Sequence, residues 1–157
     1  MKTMENTIPQ SEIVFPSSSL QGWLKYGFWR VYTPLHPTVR DVSLALGIVA
    51  HSGRQNFLIG RIAPGQTIKS VVDFMISQGY GNHFIAWKDD DELVSLRKVV
   101  DFTYQYHIRI FADGEIRGHY EYTPECYPVL HFKAIGQRDC RDEFHALLKE
   151  RIIPVIQ

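Results

Sequence analysis

The sequence predicts an α+β fold: a single domain with a mostly antiparallel sheet of about six strands and two to three helices packed on one of its faces. Three observations point there. Segments 67–78 and 140–152 carry apolar residues at helical spacing, while much of the remaining chain alternates apolar and polar residues over short stretches. Aromatic residues make up 13% of the chain and concentrate in the alternating stretches, where rings pack well on a pleated surface. A length of 157 residues with 45% hydrophobic content fits one domain with one core.

Residues 1–11 are polar and without pattern, which predicts a flexible N-terminal tail ahead of a domain over 12–157. Ser17, Ser18 and Ser19 offer N-caps to a short helix carrying Leu20, Trp23, Leu24 and Phe28. The FWRVY run then reads as a strand, and Pro34 and Pro37 as an extended turn. Two strands follow, 42–51 and 55–62, joined as a hairpin through Ser52, Gly53 and Arg54. Thr67 caps a helix whose stripe is Ile68, Val71, Val72, Met75 and Ile76, and Gly79 and Gly81 stop it. Residues 83–87 read as a strand, and the acidic run 89–92 as a turn. Segment 93–100 balances helical spacing against β-branched residues, and the alternation of Val94, Leu96, Val100 and Phe102 favours a strand.

The last third predicts a three-stranded meander over 104–134, with strands 104–111, 115–122 and 129–134. A helix over 140–152 closes the chain. Asp139 caps it, Phe144, Leu147, Leu148 and Ile152 line it, and Pro154 ends it. The loop Ala112–Asp113–Gly114 suits a type I turn with Gly114 left-handed, which sets Phe111 opposite Glu115. In that register one face carries Tyr104, Tyr106, Ile108, Ile110, Ile116, Gly118, Tyr120 and Tyr122. The other carries Gln105, His107, Arg109, Phe111, Glu115, Arg117, His119 and Glu121, a nearly complete separation into apolar and polar sets. A shift of one residue would mix the two sets, which a half-buried sheet does not tolerate. The third strand is expected to extend the rows to His107, His119, His131 and to Arg109, Arg117, Lys133, with neighbouring strands ~4.8 Å apart.

Polar residues on an open sheet face are ordinary. Two chemical readings compete with that one. Arg109, Arg117, Lys133 and His119 together suit an anionic group such as a phosphate, nucleotide or carboxylate, because like charges set across strands need compensation. The acidic run 89–92, folded over the row, would supply the same compensation internally. Alternatively, His107, His119 and His131, with Glu121 as a fourth ligand or base, suit zinc or a similar divalent metal in a hydrolase. His107, His119 and Glu121 are then the catalytic candidates. The cations of the neighbouring row count against a divalent ion, which shifts the expectation toward the anion.

The charge balance of 17 basic against 17 acidic residues argues against general nucleic-acid binding. No apolar run reaches the ~20 residues of a membrane span, and the N-terminus lacks the apolar core of a secretory signal. These features predict a cytoplasmic protein with both cysteines, Cys126 and Cys140, as thiols. Cys126 beside Glu125, with His119 or His131 as base, is a weaker nucleophile candidate. Trp23, Trp29 and Trp87 are expected in the core. Were they exposed, they would point to a protein partner or a homo-oligomer.

Overall fold

The computed structural model describes residues 8–16, 18–48, 57–83, 89 and 91–155. Its elements, in chain order, are helix α1 (Leu20–Ala45), strand β1 (Leu58–Ile62), helix α2 (Ile68–Ser77), strands β2 (Gly81–Asn82), β3 (Glu92–Val99), β4 (Tyr104–Phe111) and β5 (Glu115–Tyr122), helices α3 (Pro128–Phe132) and α4 (Arg141–Leu148), and strand β6 (Ile152–Pro154). The strands form one six-stranded antiparallel sheet in the order β2-β3-β4-β5-β1-β6. The α+β architecture is therefore the one the sequence predicts.

The predicted β4–β5 hairpin is present in register. Gln105 faces Glu121, His107 faces His119, Arg109 faces Arg117, and Gly114 is left-handed at φ 83°. Segment 93–100 is strand, as its alternation suggested: β3 lies along β4 with Ser95 opposite Arg109 and Arg97 opposite His107. The apolar face of this sheet packs Val94, Leu96, Ile108, Ile110 and Ile116 against Val71 and Met75 of α2 and Phe144 and Leu148 of α4. α2 is built as its sequence implies, with a capping box between Thr67 and Ser70.

Four expectations are overturned. The third meander strand, 129–134, is replaced by α3. Pro128 stands at the first helical turn, where its missing N–H is no loss and its fixed φ suits the helix. The edge of β5 that this strand would have used is taken by β1, with Leu58 opposite Arg117 and Gly60 opposite Ile116. The hairpin of 42–51 with 55–62 also does not form. Residues 42–45 end α1, while 49–56, including the turn at 52–54, lie outside the described residues, and β1 pairs with β5 and β6 instead.

The FWRVY strand and the turn at Pro34 and Pro37 lie inside α1, which runs through both prolines. Thr33 Oγ1 donates to the carbonyl of Trp29 at 2.8 Å within this helix. Finally, the closing helix is shorter than 140–152. Asp139 accepts from the Arg141 backbone but is not the N-cap, which is Cys140, and Lys149 at φ 47° ends the regular turns. Ile152, expected on the helix stripe, is instead a buried strand residue opposite Ile62.

Residues 8–11, expected in the loose tail, dock beside β2. Ser11 donates to Asn82 and Asn82 donates to Pro9, and a Cβ on Gly81 would lie 2.6 Å from the Ser11 backbone. Of the segment 83–87, only His83 is described; it continues past β2 and donates its N–H to Ser95. Trp29 is buried as expected, Trp23 is exposed, and Trp87 lies outside the described residues. Among the described residues no helix is long and apolar enough to cross a membrane.

Candidate metal centre

The polar face of the sheet is buried. Ser95 and Arg97 on β3, Gln105, His107 and Arg109 on β4, and His119 and Glu121 on β5 are all shielded from solvent. Burying this many polar groups is tolerable only if they partner one another. They do so around one carboxylate, Glu121.

Oε1 of Glu121 lies 3.3 Å from Nδ1 of His107 and 3.8 Å from Nε2 of His83, and accepts from Gln105 Nε2 at 2.8 Å. Oε2 lies 3.0 Å from Nε2 of His119 and 3.5 Å from Nδ1 of His131. Four imidazoles therefore surround one carboxylate. His83 enters by following β2 across from Ser95, and His131 enters from α3. His131 does not extend the row by strand pairing, contrary to the sequence expectation. It reaches the same carboxylate from outside the sheet.

Neighbouring groups fix the roles of these rings. Arg97 is wholly buried and forms a two-pronged pair with Glu125, at 3.0 Å and 2.7 Å. Its Nη1 also donates to Oε1 of Gln105 at 3.1 Å. A guanidinium only donates, so the amide of Gln105 must turn its NH2 toward Glu121 and toward Nε2 of His83, 3.0 Å away. His131 Nδ1 faces the carbonyl of Tyr122 at 3.0 Å, so this nitrogen carries a hydrogen. His107 Nε2 meets the Ser95 hydroxyl at 2.8 Å, a partner able to donate or accept. Nδ1 of His83 is buried and has no hydrogen-bond partner among the described residues.

The electrostatics favour neutral His83 and His107 and an ionised Glu121. Burial drives the His83 imidazole well below its ordinary pKa, against the pull of Glu121, with His107 and His131 adding to the effect. Burial likewise lowers His107 to about 4. For Glu121 burial acts in the opposite direction, but the imidazoles of His131, His119 and His107 outweigh it and hold the carboxyl well below the usual range. Neutral imidazole and ionised carboxylate are the forms that ligate metals.

The chain matches no protein-family model, no curated protein and no solved structure.

The basic row behaves differently from the sequence expectation. Arg109 is paired with Asp89 and Glu92, the internal counter-charge that the 89–92 run could supply. Arg117 is paired with Glu115. Lys133 sits exposed at the end of α3 and does not extend the row. Three buried or half-buried arginines, 97, 109 and 117, thus face five carboxylates, at 89, 92, 115, 121 and 125. The local balance is negative, so the repulsion that counted against a divalent cation is removed. Nor does Cys126 join this chemistry. Burial raises its thiol pKa, its sulfur faces Lys25 Nζ at 3.8 Å, and the Glu125 carboxylate is committed to Arg97.

Sequence reasoning found His107, His119, His131 and Glu121 but missed His83, Gln105 as an orienting group, and Arg97. The alternation of Val94 and Leu96 with Ser95 and Arg97 carried the missing signal, because pairing β3 to β4 places both polar residues on the histidine face.

Proposed function

We propose that this chain binds a divalent transition-metal ion through His83, His107 and Glu121. One observation carries the reading: a ligand atom from each of these three buried residues lies within 4.8 Å of the other two. Metal–ligand bonds of ~2.0–2.2 Å in tetrahedral geometry set donors ~3.4 Å apart, so the side chains draw together by about an ångström to close the set.

Two imidazoles and one carboxylate suit zinc, iron(II) or manganese. Three protein donors leave coordination positions for water, the arrangement of a hydrolytic centre. His119 lies against Glu121, within reach of the site, where an imidazole can take a proton from such a water. An anion bound at Arg109, Arg117 and Lys133 has less support, because both arginines already hold carboxylates.

Elemental analysis of the purified protein tests the reading. The expected result is near-stoichiometric zinc, iron or manganese, lost in His83→Ala and in Glu121→Gln but retained in His145→Gln, whose imidazole instead meets the Ile59 carbonyl. Absence of metal, together with no thermal shift on adding zinc, iron(II), manganese or cobalt, overturns it.

A further inference from the structure

α1 turns the wrong side to solvent for a helix of a monomer. Its inward face holds Gly22, Tyr26, Trp29 and Ser43. Its outward face holds the aliphatic residues: Leu24 and Val31 are each 66% exposed, Leu20 76% and Leu46 68%. At 100° per residue, Leu20, Leu24, Val31, Leu35, Val42 and Leu46 fall within one arc of ~80°, along a helix ~39 Å long. Phe28 lies on the same arc and is also exposed. Monomers rarely leave a contiguous apolar strip of this length in water.

Six of the seven stripe positions read the same in both chain directions, and Phe28 falls opposite Thr38. A two-fold axis beside Thr33 brings Leu20 opposite Leu46, Leu24 opposite Val42 and Val31 opposite Leu35. Such a palindrome is what an isologous antiparallel pairing of identical helices requires. Seven side chains burying on the order of 100 Å² each, on two copies, give roughly 1,400 Å², within the ~1,200–2,000 Å² of stable interfaces. A membrane surface fits less well. Lys25 is drawn inward over the Tyr127 ring and Arg40 is paired with Asp41, which leaves little cationic surface beside the stripe for anionic headgroups.

We propose that α1 is the interface of an antiparallel homodimer formed by two copies of this chain. Sedimentation equilibrium of the full chain over a range of concentrations should show a dimer that dissociates on dilution. A Leu24→Glu/Val31→Glu variant should be monomeric with an unchanged far-ultraviolet circular dichroism spectrum, because both side chains are exposed in the protomer. Under mild oxidation Val31→Cys/Leu35→Cys should form a covalent dimer, whereas Val31→Cys alone should not. The native cysteines are buried and do not compete. A monomeric mass at every concentration overturns the proposal. So does efficient cross-linking through Val31→Cys alone, or a monomer that binds phosphatidylserine vesicles and loses that binding in the double glutamate variant.

Discussion

Arg97 and Glu125 form a fully buried ion pair, and Arg97 in turn orients Gln105 against Glu121. Removing one partner strands the other's charge away from water, which costs ~3–5 kcal/mol, whereas replacing both with apolar residues can be nearly neutral. Urea unfolding should therefore show Glu125→Leu strongly destabilised and Arg97→Met/Glu125→Leu substantially recovered. The double variant should still lose metal affinity, because nothing then fixes the Gln105 amide; equal affinity in the double variant and wild type would remove Gln105 orientation from the site. At Cys140, burial pushes the thiol up to about 12. Its folded pKa lies above its unfolded value near ~8.5, so the folded state favours the protonated thiol. That contribution to stability is intact below about pH 8.5 and is lost progressively as pH rises toward 12. Alkylation of Cys140 at pH 8 should accordingly track global unfolding, and fast labelling of the native protein would contradict this burial.

Among the elements, β5 is the most constrained. Gly118 sits on its apolar face between Ile116 and Tyr120, and a Cβ there would lie 2.7 Å from the Phe144 ring and 2.9 Å from the backbone oxygen of His107. Gly118→Ala should cost ~1–3 kcal/mol, the usual range for overpacking a core. Adding Phe144→Leu should recover only part of that loss, since the His107 carbonyl cannot withdraw without shifting β4. A shift of β4 moves a proposed ligand, so Gly118→Ala should also weaken metal binding; full recovery of stability and affinity by Phe144→Leu would show that only the α4 contact matters. α3 owes its form to Pro128, and its short helix is what delivers His131 to Glu121. An extended strand in that place would have set His131 one strand away from His119 on an open face. The helix carries it to the covered side, near His83, at 5.3 Å between ring centroids.

For the whole molecule, a metal that binds only the folded state adds stability by mass action, ~2.7 kcal/mol when free metal is a hundredfold above Kd. In a chain of this length that corresponds to a rise in Tm of roughly 5–10 °C. Chelation should reverse the rise in the wild type and leave His83→Ala unmoved, which calorimetry with and without chelator can check. Chelation lowering both melting temperatures equally would place the metal elsewhere.

How much of this was legible depended on sequence distance. The register of β4 and β5 followed from a three-residue loop and from residues alternating on either side of it, because a one-residue slip would put Arg109 on the apolar face and Ile108 on the polar one. α2 was equally readable from its stripe and its Thr67 cap. The choice of neighbour for β5 was not. Segments 58–62 and 129–134 are both short and apolar in pattern, and the second begins a helix with Pro128 in its first turn. Nor did the sequence show that the polar face would be covered. Its alternation of polar and apolar residues describes an open sheet as well as a buried polar layer, and only the partners brought by tertiary contacts distinguish the two. The sequence by itself determined the fold class, the hairpin and the shared face of His107, His119 and Glu121, because these rest on local spacing. The tertiary structure decided that His83 and His131 join them and that Asp89 and Glu92 neutralise Arg109, because those contacts link segments whose spacing carries no record of one another.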